Sequence, residues 1–157
     1  MRTRYGIQFP KDDSRGLAQD EAYFYLISPA GKEKIRFHEY DKIYERPGLY
    51  EQLFYDRLKC KSPRKVSEAL LYGVRQENQS LPELRVLDLG AGNGMMGEAL
   101  ADHGVSRLVG VDIIPEARDA TERDRPGIYD EYIVCDLTDL ESGCNDELAA
   151  WSFDCLT

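Results

Sequence analysis

Between Arg85 and Gly94 the chain reads Arg-Val-Leu-Asp-Leu-Gly-Ala-Gly-Asn-Gly, and this run constrains the fold more than any other feature. Val86, Leu87 and Leu89 make a short apolar strand. Glycines at 90, 92 and 94 then supply left-handed backbone and close approach, which no other residue offers cheaply. A helix follows over Asn93–His103, with Met96, Ala99, Leu100 and His103 at i, i+3, i+4 and i+7. Gly104 is placed to end it. The pattern then repeats. Leu108–Asp112 reads as a strand, Pro115 opens a helix that stops before Pro126-Gly127, and Tyr132–Cys135 reads as a third strand. Asn145–Ala150 is a further helical candidate, and Phe153–Thr157 begins a fourth strand. Strands alternating with helices predict a parallel sheet with right-handed crossovers. Ligands in such sheets bind outside the C-terminal ends of the strands. Three segments lie at such ends: Gly90–Gly94, Asp112-Ile113 and Asp136-Leu137.

The chemistry of these ends is acidic. Gly92-Asn93-Gly94-Met95-Met96-Gly97 also fits the dinucleotide pattern GxGxxG, which by itself is weak evidence. Asp88 argues against that reading, because a carboxylate inside the strand before the glycines would repel a pyrophosphate. About 80 residues also precede the strand, whereas a dinucleotide-binding fold often begins with it. Asp112 is placed to accept hydrogen bonds from vicinal ribose hydroxyls, with N-capping of the helix at Pro115 as the competing role. Asp136 follows its strand in the same way.

Val86-Leu87-Asp88-Leu89-Gly90-Ala91-Gly92-Asn93-Gly94 resembles the first motif of the class I S-adenosylmethionine-dependent methyltransferases, an acidic residue followed by GxGxG. The resemblance runs from about Leu84 to Thr157. It implies a Rossmann-like α/β fold with its first strands in the order 3-2-1-4. It also implies methyl transfer from S-adenosylmethionine to an unidentified small-molecule acceptor. Asp88, Gly90, Ala91, Gly92 and Gly94 would border the methionine part of the cofactor. Asp112 would hold the ribose, Ile113 would lie against the adenine, and Asp136 with the Leu137 backbone would read the adenine edge. Phe153-Asp154-Cys155-Leu156 resembles the start of the family's fourth strand. The chain is therefore expected to carry the first half of the domain, stopping within strand 4, with an open sheet edge through which it could self-associate. Arg125-Pro126-Gly127-Ile128-Tyr129 is similar to the corresponding stretch of Williams–Beuren region methyltransferase-like proteins. Two other functions stay open: a nicotinamide-dependent oxidoreductase and a non-catalytic cofactor-binding fragment. No residue stands out as a general base.

Residues 1–80 are expected to form an N-terminal helical cap on the cofactor domain, 81–157, with the division near Leu81-Pro82. A polar arm to about Arg15 is followed by helical candidates over Leu17–Ile27, Lys32–Tyr44 and Leu49–Leu58. A further helix starts at Ser62-Pro63 and turns Val66, Leu70, Gly73 and Val74 inward. His38, Tyr40, Tyr44, Tyr50 and Tyr55 are candidates for a substrate pocket, although such a stripe more often packs. Tyr50 is the preferred cofactor neighbour, because caps in this family often place an aromatic there.

Composition limits the partners. A net charge of −9 disfavours nucleic acid and anionic membranes, unless a local basic patch survives. No apolar run approaches the roughly 20 residues that span a bilayer. The first residues carry charge and no apolar signal core, which gives a cytoplasmic expectation. Cys60, Cys135, Cys144 and Cys155 show neither a CxxC pair nor a zinc spacing. They are expected to be reduced thiols, and no metal is expected.

Overall fold

A computed structural model describes residues 3–10, 18–139, 141 and 143–157. The chain divides into two compact units, Met1–Cys60 and Lys61–Thr157.

The first unit is built on a three-stranded antiparallel sheet in the order β1 (Gly6–Gln8), β2 (Tyr23–Ser28), β3 (Gly31–Arg36). This corrects the expected helices over Leu17–Ile27 and Lys32–Tyr44. The physical reason lies in Tyr23-Phe24-Tyr25-Leu26-Ile27. Phe24 and Leu26 are buried while Tyr23, Tyr25 and Ile27 are not, which is the two-residue period of a strand. Aromatic and β-branched residues suit a pleated surface. Ser28-Pro29-Ala30-Gly31, read as a helix stop, is the turn of a hairpin whose strands pair from Tyr23↔Arg36 to Ser28↔Gly31. Of the expected polar arm, residues 11–15 lie outside the described ones, as does Leu17 of the expected first helix. Gly6–Gln8 of that arm form a strand.

One short helix of the second candidate survives as α1 (Tyr40–Tyr44). The expected helix over Leu49–Leu58 is present, with π-helical geometry over Glu51–Arg57. Ile7, Phe24, Leu26, Ile35, Ile43, Leu49 and Leu53 form this unit's core, with Phe37, Tyr40, Tyr50 and Phe54 packed against it.

The second unit begins with α2 (Ser62–Gln76), which starts as its Ser-Pro signal indicated. Leu70 and Val74 pack with Leu84, Val86, Leu100, Val105 and Leu108. The compact division therefore falls after Cys60 and not near Leu81-Pro82, since α2 shares a core with the strands that follow it.

The sheet is parallel: β4 (Arg85–Leu89), β5 (Arg107–Asp112), β6 (Glu131–Val134) and β7 (Cys155–Leu156) lie in the order β6-β5-β4-β7. Counted along this unit, that is the expected 3-2-1-4. The connections run through α3 (Met95–Ala101), α4 (Pro115–Asp124) and α5 (Cys144–Trp151). Leu87, Val109, Val111 and Ile133 turn toward Leu148 of α5. Val86 and Leu108 turn the opposite way, toward α2 and α3. Both faces of the sheet are thus covered, as parallel strands require.

Candidate functional site

The glycine loop leaves β4 with φ of +69° at Gly90, +55° at Gly92 and +81° at Gly94, all in the left-handed region. Every step of the loop is tied down. Gly90 and Ala91 donate their N–H groups to the Val111 carbonyl at 2.9 and 3.0 Å, and Gly94 donates to the Ala91 carbonyl at 3.0 Å. The Gly92 carbonyl accepts from the Tyr132 hydroxyl at 2.7 Å and from the Thr121 hydroxyl at 2.9 Å. The Asn93 carbonyl accepts from Arg125 Nη1 at 3.0 Å. Arg125 is itself buried and paired with Glu98 at 3.0 Å. A side chain at Gly90 would meet nothing within 4 Å, so the loop opens on free space at that point.

Asp112 stands at the C-terminal end of β5 and links two loops. Its Oδ2 accepts the Gly92 N–H at 2.9 Å and its Oδ1 accepts the Ile114 N–H at 3.0 Å. The second bond is a local loop contact two residues on; α4 has Ile114 at its N-cap with no side-chain capping bond, so the helix N-capping role that competed at the sequence level is not what Asp112 does. A carboxylate has about four acceptor positions, so two backbone bonds leave capacity for vicinal hydroxyls. Ile113 beside it is 59% exposed, an apolar surface next to an acceptor.

Asp88 is only 3% exposed. Its Oδ2 accepts the Tyr129 hydroxyl at 2.6 Å, and its Oδ1 lies 3.5 Å from the Thr157 hydroxyl. Burial pushes its pKa up to about 6; the two hydrogen bonds oppose the rise, and the Asp112 charge adds to it. Asp136 lies at the end of the third strand and is exposed. Its Oδ1 accepts the backbone N–H and the hydroxyl of Thr138, which hold it below the usual carboxylate range. Leu137 is partly buried against the core beneath. A pocket of about 410 Å³ is lined by Ile133, Cys135, Asp136, Asp139, Cys144 and Glu147, among others. Its lining includes neither the glycine loop nor Asp112.

The second unit therefore brings together, at its strand ends, Asp88, Gly90, Ala91, Gly92, Gly94, Asp112 and Ile113, with Asp136 and Leu137 at the end of the neighbouring β6. Tyr50 belongs to the first unit. It stacks on Tyr44 and Phe54 with ring centroids 5.2 and 4.6 Å away, and burial raises its phenol pKa. Tyr40, Tyr44 and Tyr55 join the same aromatic group, and His38 lies edge-on to Tyr40. Sequence reasoning missed Thr121, Arg125, Tyr129 and Tyr132, which brace the loop. Tyr129 and Asp88 are 41 positions apart, so no spacing joins them. Cys135 and Cys144 form a disulfide, correcting the expectation of four reduced thiols, while Cys60 and Cys155 keep their thiols. Among the described residues, no helix is long and apolar enough to cross a membrane.

A parallel sheet with a glycine loop after an interior strand and carboxylates at the adjoining ends defines a Rossmann-like α/β domain. Residues 87–157 match the family model described as "Methyltransferase domain". No curated protein matches the chain. A crystal structure of a Thermoplasma acidophilum protein is similar over 48% of this chain, with 21% identity and a TM-score of 0.37. The similarity covers 39% of that protein, so this chain spans about two fifths of its length.

Proposed function

We propose that the second unit binds S-adenosylmethionine and takes part in methyl transfer to a small-molecule acceptor. The observation that carries this reading is the loop Gly90–Gly94, open at Gly90 and fastened to the Asp112 carboxylate through the Gly92 N–H. Its donor set fits the cofactor. Asp88 and Asp112 are acceptors suited to an ammonium group and to ribose hydroxyls, and Asp88, next to the glycines, disfavours a pyrophosphate. Gly97, which completed the dinucleotide pattern, has a packing reason to lack a side chain: a Cβ there would lie 2.7 Å from Cζ of Tyr129.

When bound, the cofactor supplies an electrophilic methyl group. The chain's own residues bind and orient. Asp88 faces the methionine end, Asp112 accepts from the ribose, and Ile113 offers an apolar surface to the adenine. Asp136 and the Leu137 backbone serve the far edge of that ring. Fixing two reactants in line contributes to rate without a charged catalyst, because effective molarities are large.

Thermal unfolding with S-adenosylhomocysteine, beside NADH, tests the reading. At ligand near 100 times Kd the stabilisation is about 2.7 kcal/mol, or roughly 5–10 °C in Tm for a chain of this size. NADH should give no shift. Asp112→Ala should weaken S-adenosylhomocysteine binding by about 1.5–3 kcal/mol, the scale for hydrogen bonds to a charged group. A shift with NADH alone, or unchanged calorimetric affinity in Asp112→Ala, would overturn the respective assignments.

A further inference from the structure

We propose that Tyr129 is a positioning residue for Asp88: its phenol holds Oδ2 of the carboxylate and leaves Oδ1 as the oxygen presented to a ligand's cationic group. The inference rests on the cofactor reading above and assigns a role to a residue outside the glycine loop and the strand ends.

The ring is built into the unit at two glycines. A Cβ at Gly97 of α3 would lie 2.7 Å from Tyr129 Cζ, and one at Gly110 of β5 would lie 3.2 Å from Tyr129 Cδ2. Real Cβ atoms do not approach so closely as the first of these, so the absence of a side chain at Gly97 makes the space the ring occupies. Tyr132 packs edge-on against it, centroids 5.6 Å apart, and its own hydroxyl holds the Gly92 carbonyl. The two tyrosines thus act on the strand-end acid and on the loop that follows it.

The hydroxyl is placed between two partners. It donates to Asp88 Oδ2 at 2.6 Å and is also hydrogen-bonded with the Gly97 backbone. That backbone N–H lies in the first turn of α3, where no helical carbonyl is available to it. Burial and the neighbouring Asp88 charge keep the Tyr129 phenol far above its ordinary pKa, so it is a neutral donor where Asp88 titrates. Oδ2 is therefore committed, while among the described residues Oδ1 has only the long 3.5 Å approach of Thr157. A short bond from a neutral donor also favours the charged carboxylate against the cost of burial. The polar groups facing Asp88 are Tyr129 before β6, Tyr132 on β6, Asp112 on β5 and the Thr157 hydroxyl beyond β7. None of them is a cation, so the Tyr129 bond is the shortest contact that supports the charge.

Tyr129→Phe keeps the ring and removes the donor. The Asp88 titration, followed by carboxylate carbon NMR in the ligand-free chain, should shift upward by about one pH unit. S-adenosylhomocysteine affinity, measured by calorimetry across pH, should rise with ionisation of Asp88 in the unsubstituted protein. In Tyr129→Phe that rise should move to higher pH by the same interval. An unmoved Asp88 midpoint would overturn the proposal whether or not the ligand binds. A moved midpoint with no ligand binding in either protein would remove the cofactor reading and leave the Tyr129–Asp88 coupling standing. Should Tyr129→Phe fail to fold, the unsubstituted chain decides. Its Tyr129 hydroxyl proton should be a slowly exchanging downfield resonance that follows the Asp88 titration, and its absence would sink the idea.

Discussion

At the scale of single residues, the glycine loop shows why one carboxylate differs from another. Asp112 spends both oxygens on backbone N–H groups and stays at the loop surface. Asp88 is enclosed, and burial lifts its pKa from 3.8 to about 6. A carboxylate raised in this way binds its proton more tightly when folded than when unfolded. Between about pH 4 and pH 6 the native chain therefore holds more protons, and stability falls as pH rises through that window. The loss from Asp88 is on the order of 2–3 kcal/mol. Asp88→Asn should remove it: relative to the unsubstituted chain, the variant should gain stability as pH rises from 4 to 6. Parallel urea-denaturation curves for both proteins would show no converging or diverging trend if Asp88 were solvated.

At the scale of elements, the β2–β3 hairpin separates two readings of the same residues. In a strand Phe24 and Tyr25 point to opposite faces. Phe24 is fully buried among Ile7, Leu26 and Ile35, whereas Tyr25 lies under the Lys32 ammonium, 3.6 Å from the ring centroid. Phe24→Ala should therefore cost about 3–5 kcal/mol in chemical denaturation. Tyr25→Ala removes a half-buried ring with its Lys32 cation–π contact and its edge contact with Tyr23, and should cost less, about 1–2 kcal/mol. Equal losses at the two positions would contradict the strand. The helical expectation here arose because a six-residue apolar run ending at a Pro-Gly turn satisfies either period when its partner strand is unknown.

At the scale of the whole chain, electrostatics sets what can approach. The net charge of −9 combines 20 basic and 29 acidic residues; Lys59, Lys61, Arg64 and Lys65 make a short exposed basic run, and a second basic strip lies on the hairpin. Lys32 and Lys34 stand over Tyr25 and Tyr23 on the outer face of the hairpin. Arg36 at its end is already near Glu39, 3.9 Å away. Two exposed lysines are few against the many phosphate contacts that give nucleic-acid binding its strength. A short DNA duplex at roughly 0.15 M salt, where the Debye length is about 8 Å, should run unshifted in a mobility assay. A salt-dependent shift abolished by Lys32→Glu with Lys34→Glu would show that the strip outweighs the overall charge.

The family resemblance implied the order of the parallel sheet, and the sequence by itself determined the alternation of strands and helices after Leu84 and the glycine loop that follows the first of those strands. Those features rest on local signals: glycines that permit positive φ, an apolar strand before them, and helical spacing after them. Tertiary structure alone decided the rest. The hairpin of the first unit depends on pairing Tyr23–Ser28 with Gly31–Arg36, and the core of the second unit depends on α2 meeting strands that follow it in the chain. The Cys135–Cys144 pair and the bond from Tyr129 to Asp88 depend on which strand ends become neighbours. Local conformational preference is written within a few residues. A buried phenol satisfying a carboxylate 41 positions away is fixed only by the packing that encloses them both.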